Sequence, residues 1–281
     1  MTAQADAGPQ SGARLPAPAA GGPGRPQDAG AVEAAIESAE GGRSWRSLLV
    51  QPVLIAVVLA GYFLWLATAE LSDVESRPLS WGSLGPAIGE HLRLTFVSAA
   101  IVVVLAVPLG ILLTRRPFRR LAGPVIAVAN VGQAAPAIGL IVLLAMWLGF
   151  GPWTAVVSLV AYAVLPVLRN TMVGLGGVDE RLVEAGRGMG MSALSVLLRV
   201  ELPLAVPVIL AGVRTALVLL VGTATLAVFI DGGGLGILIT TGINLYLPNL
   251  LVSGALLVAL LALLIDWLGR VVEHVAHPRG L

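Results

Sequence analysis

The amino-acid sequence predicts an all-α polytopic membrane protein with about six transmembrane helices. The composition is the first reason, because 57% of the 281 residues are hydrophobic and only 12% are charged, more apolar side chain than a soluble domain can bury. The second is a series of apolar runs, each near the roughly 20 residues that a helix needs to cross a bilayer. The third is that arginines fall in alternate connections between these runs, as the positive-inside rule requires.

The apolar runs follow a polar leader. Residues 1–44 are rich in Ala, Gly, Pro and Gln, and this composition predicts a disordered cytoplasmic tail ahead of a transmembrane domain at 45–281. The fourth run is the shortest, so a count of five spans stays open if one run is re-entrant. The runs lie at about 47–68, 92–114, 121–148, 153–168, 204–230 and 249–268.

The arginines set the expected orientation. All 17 basic residues are arginine, and most of them precede the first run, fill the second and fourth connections or follow the last run. The first connection has one arginine, Arg77, beside three acidic residues, and the third and fifth connections have none. Arginine-rich connections stay in the cytoplasm. We therefore expect both termini, and the loop at 170–204, to be cytoplasmic.

Several kinds of chemistry have no residues to support them. The chain has no cysteine, which excludes disulfides and thiolate sites, and its three histidines, at 91, 274 and 277, lack the spacing of a metal motif. It has no lysine for a phosphate-binding Walker loop, so Gly232 to Gly236 predict only a flexible turn. We expect no catalytic site, no metal and no cofactor.

One charged stretch, from Val183 to Pro203, interrupts the apolar sequence. Its charges would be costly at the bilayer centre, so it must lie in water or against another protein. Glycines 186, 188 and 190 indicate a turn and close approach by a partner. An ordinary basic connector is the alternative interpretation. The charges are Glu184, Arg187, Arg199 and Glu201.

The spacing within this stretch resembles the EAA loop of binding-protein-dependent ABC importer permeases. The matching positions are Glu184, Ala185, Gly186, Gly190, Val200, Leu202 and Pro203. Gly186 stands where the family pattern has alanine, and Val200 where it has isoleucine. From about residue 92 onward the chain is also similar to the permeases of osmoprotectant importers, because LPVLRNT, GVDE, GMGM and GTATLA occur together.

The resemblance implies a type I ABC importer permease fold, with a core at about 92–270 and an ATPase-coupling loop at 170–204, in a bacterial plasma membrane. It implies import of glycine betaine, choline or carnitine, or else of another small solute such as an amino acid or sulfonate. The implied partners are a separate ATPase subunit, an extracytoplasmic substrate-binding protein, a second permease chain, the same or homologous, and membrane lipid, with no nucleic acid. An intramembrane enzyme or a secondary transporter is a third hypothesis, but no motif for either is visible.

Polar residues within the apolar runs are candidates for the translocation pathway. Asn130, Gln133 and Pro136 lie in the third run, where interhelical hydrogen bonding explains them equally well. Tyr162 is a candidate contact for a passing cation. Arg214, about ten residues into the fifth run, needs a partner: it either pairs with Asp266 or faces a water-filled cavity.

Overall fold

The computed structural model describes residues 45–276, with side chains from residue 48 onward. The predicted tail at 1–44 lies outside the described residues. Eleven α-helices run through the described part of the chain, which contains no strand. They are α1 Trp45–Thr68, α2 Asp73–Ser76, α3 Trp81–Thr114, α4 Ala122–Ala134, α5 Ala137–Leu148, α6 Pro152–Gly176, α7 Glu180–Gly188, α8 Ala193–Val196, α9 Leu202–Ala224, α10 Gly236–Asn244 and α11 Pro248–Ala276.

Five segments are long and apolar enough to cross a membrane, and α4 and α5 form a sixth only if they count as one bent span. The five segments contain α1, α3, α6, α8 to α9, and α11. The spans are longer than the apolar runs suggest. The second span begins at Trp81 rather than near residue 92. Ser80 is the residue before the helix, and the more polar residues between Trp81 and residue 92 are already helical.

The third predicted span, 121–148, is not one helix. It breaks between Ala134 and Ala137, and the two halves meet at 101°. Pro136 causes the break, because it has no N–H to donate to the carbonyl of Gly132 and its ring holds Ala135 in an extended conformation, at φ −63° and ψ 143°.

The bent pair nevertheless carries the chain from one end of the bundle to the other. The end of α3 lies beside the start of α9, where Arg115 pairs with Glu201. The start of α6 lies beside the far end of α9, where the Gly151 N–H donates to the Ile230 carbonyl at 2.7 Å. The chain between Arg115 and Gly151 therefore traverses the bundle once, through α4 and α5.

The core forms around α6, which packs between α3 and α9. Leu159, Val167 and Leu168 are buried there. Two glycines let the neighbouring helices approach: a Cβ on Gly110 of α3 would lie 2.8 Å from the Thr171 side chain, and one on Gly212 of α9 would lie 2.9 Å from the Pro166 carbonyl. Small residues at such crossings replace the hydrophobic effect, which is absent between helices in lipid, with close packing.

The first helix attaches to the bundle through α11. The Trp267 indole Nε1 donates to the Leu48 carbonyl at 2.7 Å, and Gln51 Nε2 donates to the Leu263 carbonyl at 2.9 Å. The opposite side of α1 exposes apolar residues such as Val53 and Val57, as expected of a face in contact with lipid. The beginning of α1 and the last turns of α11 therefore lie at the same end of the bundle.

The glycine run at 232–236 is a packed turn rather than a flexible one. Gly233 and Gly234 have φ of 80° and 90°, a region open mainly to glycine. Glu90 Oε2 accepts a hydrogen bond from the Gly234 N–H at 3.0 Å. A Cβ on Gly236 would lie 2.0 Å from the Thr225 carbonyl, so close backbone packing explains the glycines.

Candidate functional site

The loop between α6 and α9 contains two short helical arms joined by a tight turn. Residues 170–176, predicted as loop, continue α6 instead, and the loop proper follows Gly176. Helix α7 forms the first arm. Asp179 precedes it, and its Oδ1 accepts a hydrogen bond from the Arg181 N–H at 2.9 Å, which satisfies one of the free donors at the helix start.

Gly190 ends the first arm. Its φ is +82°, its N–H donates to the Arg187 carbonyl at 2.9 Å, and the next N–H, of Met191, donates to the Gly186 carbonyl at 3.2 Å. These two bonds are the Schellman pattern of a helix C-terminus, which places a left-handed residue at this position. Gly190 is therefore required by the backbone conformation.

The second arm runs directly into the membrane-spanning bundle. Ser192 caps it, with Oγ accepting from the Ser195 N–H at 3.3 Å. Helix α8 then continues through a π-helical turn, Leu197–Glu201, into α9 without a break. The second arm and α9 therefore form one continuous helical segment.

The two arms contact each other at the positions where the sequence departs from the EAA pattern. Gly186 is buried, and a Cβ there would lie 3.4 Å from a Val196 methyl and 3.7 Å from a Val200 methyl. These are ordinary contact distances, so an alanine fits at 186 without displacement. Gly186 and Val200 are therefore neighbours across the arm interface.

The outer surface of the arms is left without partners. Glu184 and Ala185 are exposed, and no described residue makes a hydrogen bond to the Glu184 carboxylate. Leu182, Met189 and Leu194 are exposed on the same loop, by 44%, 72% and 63%. Apolar side chains this exposed, around an unpaired carboxylate, are typical of a surface that binds another protein.

A partly buried ion pair anchors the base of the loop. Arg115, which follows α3, makes a two-pronged contact with Glu201, with Nη1 3.1 Å from Oε1 and Nη2 2.5 Å from Oε2. The Glu201 side chain is only 8% exposed. A paired guanidinium and carboxylate of this kind fix direction as well as distance, so the loop base and α3 are held together.

Of the five residues predicted to line the pathway, two line the same cavity and three lie elsewhere. Asn130 Oδ1 accepts from Arg169 Nη2 at 2.9 Å, which is an interhelical hydrogen bond. Pro136 stands at the break before α5, and Tyr162 is half-buried on α6. Gln133 and Arg214 line one cavity of about 550 Å³ beside α9, together with Asp266.

Arg214 both pairs and faces this cavity. Its Nη1 lies 3.4 Å from Asp266 Oδ1, and its Nε lies 2.9 Å from Glu273 Oε1 without the alignment of a hydrogen bond. Its stem packs on Gly269, where a Cβ would lie 2.8 Å from the arginine Cγ. The two alternatives for Arg214 are thus not exclusive.

Glu273 and Arg270 complete the cluster, and the sequence did not indicate either. Asp266 Oδ2 also lies 2.6 Å from Arg270, whose guanidinium also contacts Gln51. Glu273 follows Asp266 by seven residues, two helical turns, so it shares a face of α11. The helix continues to Ala276, beyond the apolar run that ended near 268.

Among residues 45–276, no group of histidine and carboxylate side chains could hold a metal ion.

The bundle, its bent third span and the two-armed loop define a membrane-embedded subunit of a transport system. The chain belongs to the family of binding-protein-dependent transport system inner membrane components, which residues 106–275 match. The fold is that of the type I ABC importer permeases. It is similar to the MetNI methionine ABC transporter in its inward-facing conformations, with a TM-score of 0.63 and 25% identity, over 74% of this chain and 100% of that one.

Two relatives from Bacillus subtilis (strain 168) are closer in sequence. The glycine betaine/carnitine/choline transport system permease protein OpuCB is 44% identical over 193 residues, covering 69% of this chain and 88% of that protein. The choline transport system permease protein OpuBB is 43% identical over 192 residues, covering 68% of this chain and 88% of that protein.

Proposed function

We propose that the chain is the permease subunit of an ATP-driven importer for quaternary ammonium osmoprotectants such as glycine betaine, choline or carnitine. The observation that carries this proposal is identity of 43–44% with relatives named for these solutes, over 88% of their length. At this identity the bundle and its loop are shared along most of the chain. The solute itself is first recognised by a separate extracytoplasmic binding protein.

ATP hydrolysis belongs to a separate subunit that binds the two-armed loop. The exposed Leu182 and Met189 supply apolar contact area, and Glu184 accepts hydrogen bonds from the partner. When the ATPase subunits close, the loop moves with them. Because the second arm is continuous with α9 and Arg115 ties the loop base to α3, the movement reaches the spans as a rigid-body shift.

Both chain ends lie on the cytoplasmic side in this proposal. Six crossings, with α4 and α5 counted as one, return the chain to the side from which it started. The arginines near the loop end of the bundle support that side as the cytoplasm. The chain has no cysteine of its own, so Glu184→Cys gives a single label site, expected to react with a membrane-impermeant maleimide only in inside-out vesicles. Labelling in right-side-out vesicles contradicts this orientation.

The test of function is uptake in bacteria that lack their own osmolyte importers. The chain is expressed together with its ATPase and binding protein, and labelled glycine betaine, choline and carnitine are supplied at high osmolarity. We expect uptake of at least one of them. Gly190→Asp and Glu184→Lys are expected to insert normally but to block uptake and co-purification with the ATPase. Uptake of an amino acid or a sulfonate, and of no quaternary ammonium solute, contradicts the proposal.

A further inference from the structure

The cavity beside α9 combines apolar and polar lining residues. Its volume is about 550 Å³, and its wall includes the apolar Val218 and Leu219 together with Gln133, Arg214 and Asp266. Mostly apolar walls with a few convergent polar groups are the usual make-up of ligand pockets. We refer to it as the Gln133–Arg214 groove.

Two hydrogen-bond donors in the groove are unused. The Gln133 amide is half-buried, and no described residue bonds to it. In Arg214, Nη1 faces Asp266 and Nε faces Glu273, while Nη2 has no partner among the described residues. Intramembrane polar groups normally find partners within the bundle. A free amide and one free guanidinium nitrogen in the same cavity therefore suit an acceptor that arrives from outside.

The groove also lies at a suitable depth. Gln133 is about 17 Å along α4 and Arg214 about 18 Å along α9, both counted from the loop end at about 1.5 Å a residue. The break at Pro136 follows directly after Gln133. Discontinuous helices at mid-depth are where membrane transporters form solute sites, because free backbone groups there are tolerated only beside protein or water.

We propose that the Gln133–Arg214 groove binds the carboxylate of a zwitterionic osmolyte as it passes through the membrane, which rests on the proposed function. Arg214 Nη2 and the Gln133 amide donate to the carboxylate, and the trimethylammonium end lies against Val218 and Leu219. Asp266 and Glu273 partly neutralise Arg214, which keeps the solute weakly bound, as passage requires. The groove therefore contributes to the transport of glycine betaine and carnitine but not of choline, which has no carboxylate.

The test compares two solutes in one preparation. The complete importer, with ATPase and binding protein, is reconstituted in vesicles, and initial uptake rates are measured for glycine betaine and choline. Arg214→Lys keeps a positive charge for Asp266 but loses the planar fork, and Gln133→Leu removes an amide that has no described partner. Each is expected to lower the glycine betaine to choline ratio by roughly tenfold, the effect of one charge-assisted hydrogen bond.

Asn244→Leu is the matched control, because it removes an exposed amide at the end of α10 that does not line the groove; its ratio should equal that of the wild type. Equal losses for both solutes in Gln133→Leu overturn the inference and leave the proposed function standing. A wild-type importer that carries none of glycine betaine, choline and carnitine overturns both. If the importer does not carry choline, the rate of glycine betaine uptake is compared with the rate of ATP hydrolysis in the same vesicles. The same ratio of uptake to hydrolysis in Arg214→Lys, Gln133→Leu and the wild type overturns the inference.

Discussion

Substitution by alanine should change the stability of the coupling loop in different directions at its three glycines: it should destabilise the loop at Gly190 and stabilise it at Gly188 and Gly186. Gly190→Ala places a Cβ on a residue with φ +82°, which costs about 1–2 kcal/mol because the left-handed conformation crowds the side chain. Gly188→Ala acts in the last turn of α7, where no atom lies within 4 Å of the new Cβ. It should stabilise the helix by about 1 kcal/mol, the difference in helix propensity.

Gly186→Ala should act in the same direction as Gly188→Ala. Its Cβ would meet Val196 at 3.4 Å and Met191 at 3.5 Å, which are favourable contacts. It gains helix propensity as well, so we expect a stabilisation of about 1 kcal/mol and unchanged uptake.

Amide hydrogen exchange of α7 in the purified chain measures these effects, because it reports local opening. Since about 1.4 kcal/mol is a factor of ten, Gly190→Ala should speed exchange by roughly 5–30-fold, and Gly188→Ala should slow it by roughly fivefold. Slower exchange in Gly190→Ala, or the same change in both variants, would refute the assignment of Gly190 as the left-handed helix end.

Three further predictions concern ion pairs and pH. Arg214→Ala and Asp266→Ala should each lower the Tm in detergent, and the double variant should lose clearly less than the sum of the two losses. The coupling energy should be about 1 kcal/mol, because the two side chains are 28% and 25% exposed. Additive losses reject the pair. Arg115→Ala should lower the free energy of unfolding by about 3 kcal/mol, because it leaves the Glu201 carboxylate, whose side chain is 8% exposed, without its counter-charge. Arg116 is an exposed neighbour, and Arg116→Ala should cost under about 0.5 kcal/mol. Equal losses in the two variants contradict the anchoring role of Arg115. Hydrogen bonds from a serine N–H and hydroxyl lower the pKa of Glu75, in the segment before α3, from 4.5. A lowered pKa gives stability that is present above pH 4.5 and is lost as the pH falls through the lower folded value. The Tm should therefore fall less steeply with acid in Glu75→Gln than in the wild type. Parallel curves of Tm against pH for the two proteins would contradict this role of Glu75.

Much of the fold follows from local features of the sequence. The apolar runs located the spans because about 20 apolar residues have few alternatives to crossing a bilayer, and the charges from Glu184 to Glu201 kept that loop out of it. The same rule made Arg214 need a partner, and Asp266 is one of its two ion partners in the structure.

Other features depend on distances that no local pattern gives. The sequence marks Pro136 as a point of interruption, but the 101° bend depends on how α4 and α5 each pack against α6. Glu273 was missed because the apolar run ends near residue 268, more than a turn before it, although the helix continues to Ala276. Hydropathy reports the part of a helix that contacts lipid and not the turns beyond it, which also explains why α3 begins at Trp81.

The most direct test of the account is ATP-dependent uptake by purified components in vesicles. The chain, its ATPase and the binding protein are reconstituted together, and accumulation of labelled glycine betaine, choline and carnitine is measured with and without ATP, alongside ATP hydrolysis by the chain alone. We expect accumulation of at least one of these solutes only when ATP and all three proteins are present. We expect no hydrolysis by the chain alone, because it has no lysine for a phosphate-binding loop. Robust ATP hydrolysis by the highly purified single chain would contradict the account.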